Sequence, residues 1–265
     1  MHVFWYIFFV VLGLVIASFL NVCIDRLPRN QSIVNPPSHC DSCQRRLAVK
    51  DLIPIYSYLR TKGKCSYCNA PIPQRVLWVE IGTGVYFGFL FWRFGLTPEL
   101  GIVAFYSCIF IVLMVIDLEH GLILNKIVYP AMAIAFLIST FTPGTGIVPF
   151  LSTGIAGSIL SSIIAGAAGF IIFLLIVIIS KGGMGFGDVK MVGLIGLIIG
   201  WPQVFVAILI GIFLGGLVAI FLLFLKIKGR KQSIPFGPFL AIGAMFTLLY
   251  GAEIWRLYLK IIGLG

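Results

Sequence analysis

The sequence predicts an all-α polytopic membrane protein of about eight transmembrane helices, with a small zinc-bound cytoplasmic domain inserted after the first helix. Three observations predict it. Of the 265 residues, 60% are hydrophobic and only 11% charged, against about 45–50% apolar and about 25% charged in a soluble domain. The chain therefore lacks the polar surface to cover a globule in water. Its apolar residues fall in runs comparable to the roughly 20 residues that a helix needs to cross a bilayer core. One polar stretch, residues 21–77, stands apart from those runs and carries two Cys-x-x-Cys pairs.

The first apolar run, residues 3–20, has no positively charged start and no small-residue cleavage site, so it reads as a retained helix and not a signal peptide. After the polar stretch come runs at 77–94, 100–116, 128–141, 155–179, 189–200, 204–225 and 236–249, several of them short or glycine-rich. Charge sets their orientation. Lys and Arg number 19 against 9 Asp and Glu, a net charge of +10, with nine bases between Arg26 and Arg75 and four more in residues 226–231. In a soluble chain such an excess raises the question of nucleic acid; in a membrane chain, basic loops mark the cytoplasmic side. Both basic segments are expected inside and both termini outside, with short polar loops such as 140–146 outside. The expected partner is the lipid bilayer, including contact of the basic block with anionic lipid, and no nucleic acid.

Cys40-Asp-Ser-Cys43 and Cys65-Ser-Tyr-Cys68 are separated by 21 residues. Each pair suits a knuckle turn that presents two thiolates, and two knuckles complete a tetrahedral four-sulfur site for zinc. Disulfide or redox chemistry is the competing reading, disfavoured in a reducing cytoplasmic loop. With few apolar residues around them, the metal would be a folding element with no open position for a catalytic water. Cys23 and Cys108 read as packing cysteines.

Only five Asp occur, three of them in the polar stretch. Asp117 ends an apolar run, and Asp188 closes a segment with glycines at 182, 183, 185 and 187 just before another. Ionisable groups at that depth cost several kcal/mol unless they face protein or a wet cavity, which makes function the default reading. Two carboxyls brought together share a proton and so supply a base and an acid at one pH, the logic of an aspartic protease. The glycines would let a substrate strand approach and bend the chain into the helix start, where the dipole favours the Asp188 carboxylate. A helix cap at Asp188, or a proton or cation pathway through an Asp pair in a non-enzymatic transporter, stands beside that reading. His120, three residues after Asp117, shares its helix face, whereas Glu119 does not.

At this point a family resemblance emerges. Its motifs run in order: residues 17–28 (ASFLNVCIDRLP), Pro36-Pro-Ser-His-Cys40, Pro71-Ile-Pro-Gln-Arg75 leading to Val79-Glu80, Ile116-Asp-Leu-Glu-His120, Gly183-Met-Gly-Phe-Gly-Asp-Val-Lys190 and Pro235-Phe-Gly-Pro-Phe-Leu-Ala241. The chain resembles the bacterial type IV prepilin peptidases, membrane aspartic proteases of the Gly-x-Gly-Asp type that also N-methylate their product. The resemblance implies that Asp117 and Asp188 are the catalytic pair and that Cys40, Cys43, Cys65 and Cys68 hold the metal of the cytoplasmic domain. It implies cleavage of the leader of type IV prepilins or pseudopilins after a Gly at the cytoplasmic face of the inner membrane. Methyl transfer from S-adenosylmethionine to the new N-terminus would follow. The corresponding division is a first transmembrane helix at 1–20, a methyltransferase-associated four-cysteine domain at 21–77, a second transmembrane helix at 78–97 and a six-helix peptidase domain at 98–265.

Gly63, Lys64 and Glu80 are the candidates for the methyl-transfer site. The plainer readings are a knuckle turn with a solvated Lys and an ion-paired or snorkelling Glu. Asn21, Arg26 and Arg75 read equally as anchors where the zinc domain meets the membrane. The chain departs from the family where Leu-Pro-Asp commonly follows the first catalytic Asp. Here Leu124 and Asn125 replace the Pro-Asp, which bears on the bend after the third span and removes a carboxylate near the site. An intramembrane protease cutting within a substrate's span is a third reading.

Overall fold

A computed structural model of the chain describes residues 2–141, 155–180, 184–225 and 234–263. The basic loop 226–231, the expected outer loop beyond residue 141, and Gly182 and Gly183 lie outside these. Among the described residues the secondary structure is helical apart from two isolated antiparallel bridges, His39 with Arg46 and Lys64 with Pro71: α1 (His2–Arg26), a 3-10 turn (Val49–Asp51), α2 (Tyr56–Arg60), α3 (Gln74–Phe94), α4 (Pro98–His120), α5 (Asn125–Phe141), α6 (Ile155–Ser180), α7 (Phe186–Ile199), α8 (Val204–Phe224) and α9 (Gly237–Ile261). Five of them, α1, α4, α6, α8 and α9, are long and apolar enough to cross a membrane. The 21-residue α3 carries Glu80 and Arg93, while α5 and α7 have 17 and 14 residues.

Two compact units divide the chain, Met1–Ala104 and Phe105–Gly265, with α4 starting in the first and ending in the second. In the first unit α1 lies antiparallel along α3. Small residues set that contact: a Cβ on Gly13 would stand 2.8 Å from Thr83 O, and one on Gly88 2.8 Å from Val10 Cγ2. Gly84 and Gly88 thus form a close-approach stripe of the kind that packs helices where no hydrophobic drive separates protein from lipid. Nearer the N-terminal end of α1, Phe9 stacks on Phe91 at 5.0 Å and Tyr6 meets the same ring edge-on.

Helix α1 runs six residues beyond the apolar segment that ends at residue 20, because its polar last turns find partners. Asn21 Nδ2 donates to Val76 O at 3.2 Å, Arg75 donates to Asn21 and to Asp25, and the buried Arg26 guanidinium donates to the carbonyls of Ser32, Pro36 and Pro37. Asn21, Arg26 and Arg75 are therefore anchors of the loop and of the helix pair. The polar stretch that follows has almost no apolar core, as its composition predicts.

In the second unit, Asp117 and His120 lie within α4, which is closed by Gly121 at φ +63°, whose N–H returns to Asp117 O at 2.9 Å. Helix α7 is buried along most of its length and rests on α6, where a Cβ on Gly196 would stand 2.5 Å from Ala165 O and one on Gly169 2.8 Å from Val192 Cγ1. Helices α8 and α9 meet in the same way through Gly211, Gly243 and Ala207. Helix α9 extends well past the apolar run ending at 249, through Glu253, Arg256 and Lys260, since no proline interrupts it. The buried-glycine contacts predict that Gly196→Ala destabilises the protein by about 1–3 kcal/mol. Gly216→Ala, where a Cβ meets nothing within 4 Å, should leave the thermal midpoint unchanged; the same midpoint for both variants in detergent would contradict the packing.

Candidate functional site

Asp117 and Asp188 come together within the second unit from opposite helix ends. Asp117 sits in the last turn of α4, where the helix dipole disfavours an anion. Its compensation comes from α9: the Gly237 N–H, the first of that helix, donates to Asp117 Oδ2 at 3.0 Å. That N–H belongs to the turn whose donors have no intrahelical partner, at the positive end of the dipole. A Cβ on Gly237 would collide with the same carboxylate oxygen, 2.5 Å away, so glycine is required for the approach. Asp188 is the third residue of α7, in its first turn, and its own N–H closes on Gly185 O at 3.1 Å. The two carboxylates are within electrostatic reach of one another and both are buried, Asp117 at 5% and Asp188 at 8% exposure.

The end of α4 and the starts of α7 and α9 therefore converge on two carboxyls. Gly185 has ordinary extended backbone as the N-cap of α7, and a Cβ on Gly187 would press against Ile123 Cβ at 3.0 Å. Glu119 and His120 are exposed at the end of α4. Two residues beyond Asp188, Lys190 Nζ donates to Asn125 Oδ1 at 2.9 Å and lies 5.0 Å from the Phe186 ring centre and 5.6 Å from that of Tyr129. Asn125, where the chain departs from the family pattern, thus reaches the site's lysine as a neutral acceptor.

In the first unit the four predicted cysteines form a cluster whose sulfurs all lie within 4.8 Å of one another. Cys40 and Cys68 Sγ are 3.7 Å apart, close to the ~3.8 Å that tetrahedral coordination at about 2.3 Å per Zn–S bond requires. The two knuckles have one design. Cys40 N–H donates to Arg45 O and Gln44 N–H to Cys40 O; Cys65 N–H donates to Ala70 O and Asn69 N–H to Cys65 O. Gln44 and Asn69 both turn the chain with positive φ, 57° and 58°. The Cys43 N–H, with Ser42 N–H and the neighbouring thiols and against desolvation, pulls the Cys40 thiol down to about 6. At Cys68 the Ala70 N–H favours the thiolate, but desolvation and hydrogen bonds to the other three sulfurs push it up to about 12. Four crowded sulfurs give up their protons together only to a cation, so the donor set fits a thiophilic metal ion.

Asp51 organises the segment between the knuckles. It accepts from Ser66 Oγ, Tyr67 OH, the Ala48 N–H and Arg60, and these partners together hold its carboxyl below the usual range despite desolvation. The Arg45 guanidinium lies 4.2 Å above the Tyr67 ring and joins the first knuckle to the second. Gly63, at φ +69°, ends α2 beneath the Tyr58 hydroxyl, and the Lys64 side chain is exposed. Glu80 is buried in α3, where its Oε2 accepts the Ile55 N–H at 2.7 Å. Ile55 holds φ +61°, a conformation that costs a β-branched residue about 1–3 kcal/mol; the Glu80 bond offsets that cost and fixes the α2 segment to α3. Neither the Asp51 hub nor the Gly237 donor is signalled locally. The Pro-Phe-Gly-Pro run at a helix start is the one sequence sign of the latter.

The chain matches two family models: residues 11–94 fit the bacterial peptidase A24 N-terminal domain and residues 104–220 the type IV leader peptidase family. It is 32% identical to the prepilin leader peptidase/N-methyltransferase of Bacillus subtilis, over 94% of this chain and 96% of that protein. It is 29% identical to the protein of the same name from Pseudomonas aeruginosa, over 96% and 93%, and 29% identical to that of Stutzerimonas stutzeri, over 94% and 92%. No solved structure matches significantly. The two matched segments take in both buried aspartates and all four clustered cysteines, and the agreement with relatives extends over nearly the full length: the chain belongs to the type IV leader peptidase family.

Proposed function

We propose that the protein is a membrane aspartic endopeptidase that removes the leader of type IV prepilins or pseudopilins after a Gly and then N-methylates the new N-terminus. The observation that carries the proteolytic half is the convergence of Asp117 and Asp188, each buried and each at the end of a helix. In this reading one carboxylate accepts a proton from the attacking water while the other, protonated, donates its proton to the scissile carbonyl oxygen; as the resulting gem-diol collapses, the first passes its proton to the leaving amine and the second recovers its own from the diol hydroxyl. The Gly237 N–H fixes the Asp117 carboxylate so that its free oxygen faces the water. Helix α4 delivers Asp117 at its end, and the substrate's own apolar N-terminal helix would bring the leader junction to the same depth. Eight spans, with both termini outside and both the four-cysteine domain and the aspartates at the cytoplasmic face of the inner membrane, complete the proposal. Within it, residues 21–77 form the inserted domain, helices at 1–20 and 78–97 flank it, and 98–265 form the peptidase domain.

The metal proposed for Cys40, Cys43, Cys65 and Cys68 is zinc, which when bound would replace a hydrophobic core in closing the polar stretch. S-adenosylmethionine would supply the methyl group, a reading supported by the names of the relatives. Gly63, Lys64 and Glu80 are the proposed residues of that site. Lys64 is the one with a side chain open to a ligand, and Gly63 and Glu80 would act by fixing the backbone around it.

Asp117→Asn and Asp188→Asn should each lower cleavage of a prepilin by about a thousandfold or more while the protein inserts and purifies normally. Retained cleavage by either variant would overturn the assignment. Gly237→Ala should slow cleavage by displacing the Asp117 carboxylate, without changing the metal content; a wild-type rate would show that the contact is dispensable. Elemental analysis of the freshly purified protein should find one zinc per chain, lost in Cys40→Ser/Cys43→Ser; wild type without metal would refute the zinc site.

A further inference from the structure

The segment between the two cysteine knuckles is inside out for a domain in water. Its carboxylate, Asp51, is turned inward with its side chain 6% exposed. Its apolar side chains face outward instead: Val49 is 82% exposed, Leu59 63%, and Leu52, Ile53 and Tyr56 are exposed as well. These five fall within eleven residues among which none is buried, a local concentration and not scattered singles. Exposed Lys50, Lys62 and Lys64 flank it, and Asp51 is the only acidic residue between 49 and 64.

The depth of this patch is fixed by bonds already described. In the antiparallel α1–α3 pair, Asn21 lies against Val76 and Gly13 against Gly84, which sets Glu80 level with Ala17. That level is three residues inside the apolar run that ends at residue 20, about 4–5 Å along the axis at about 1.5 Å per residue. Because Glu80 Oε2 holds the Ile55 N–H at 2.7 Å, Ile55 is tied to α3 at the level where the apolar run of α1 ends. Trp78, two residues before Glu80 on α3, is 66% exposed and is a residue type that favours this layer.

We propose that residues 49–60 lie in the membrane interface, with Val49, Leu52, Ile53, Tyr56 and Leu59 in the upper acyl layer and Lys50 and Lys62 on the headgroups of anionic lipid. The Glu80–Ile55 bond is the clamp that sets this depth, and the strained Ile55 backbone is the bend that turns the apolar side chains toward the bilayer. The segment thereby holds the four-cysteine domain at a fixed height against the membrane. The claim is independent of what the protein cleaves or methylates.

The test uses the full-length protein in vesicles of mixed phosphatidylcholine and phosphatidylglycerol. The photoreactive amino acid benzoylphenylalanine is placed singly at Leu52, at Leu59 or, as reference, at Gln44 on the first knuckle, and adducts are identified by mass spectrometry. Lipid adducts at 52 and 59 should exceed those at 44 by about tenfold. Adducts to protein instead, from a second copy or another chain, or equal lipid labelling at all three positions, would overturn the proposal. A second measurement needs no substitution: amide hydrogen exchange over 49–60 should slow severalfold when phosphatidylglycerol is added to phosphatidylcholine nanodiscs, and identical exchange in the two would overturn the role given to the lysines.

Discussion

The hydrogen bond from the Gly237 N–H to Asp117 Oδ2 is the contact on which the second unit turns. A carboxylate in the last turn of an apolar helix faces both desolvation and the wrong end of a dipole. Only a donor brought from elsewhere makes that position tolerable, and the start of α9 supplies it across 120 residues of chain. Two consequences follow. Glycine is required at 237 because a side chain would occupy the carboxylate's place. The start of α9, the end of α4 and the start of α7 must all meet at one point, which requires helices close enough to touch backbone to backbone. The glycines of α6 and α7, and of α8 and α9, provide that closeness.

The first unit solves the same problem in a different setting. Glu80 is another buried carboxylate on an apolar helix, and a backbone N–H from a distant segment satisfies it, as at Asp117. Here the bond works in both directions: it stabilises the acid, and it holds Ile55 in a conformation that the residue would not keep alone. Asp51 plays the corresponding part among the knuckles, gathering two hydroxyls, a backbone N–H and Arg60 in a region with no apolar core to order it. Buried acids thus set local geometry in both units, and the metal-ready sulfurs lie beside one of them.

Much of this was legible from the sequence. Apolar runs marked the long helices because burial in lipid leaves a run of one kind of residue, and two Cys-x-x-Cys pairs marked the sulfur cluster because knuckle geometry is local. Asp117 and Asp188 stood out because acids are so scarce in the chain. What escaped is long-range. The sequence offers Glu80 as a methyl-transfer candidate or an ion-paired or snorkelling acid, and nothing in its neighbourhood names Ile55 as its partner 25 residues away. The apolar runs end at Leu20 and Leu249, but the helices continue, because Asn21 and Asp25 are paired with Arg75 and α9 carries its charges on a continuing helix. Asn125, a departure from the family pattern, still meets Lys190 as a hydrogen-bond acceptor; only the pairing in space reveals that.

In the proposed mechanism Asp117 and Asp188 act as one catalytic unit and not as two independent contributors. The most direct measurement is the cleavage rate of the double variant Asp117→Asn/Asp188→Asn beside the two single variants on one prepilin. A shared unit loses its function once, so the double variant should fall to the same residual rate as either single one. Losses that multiply in the double variant would contradict the account.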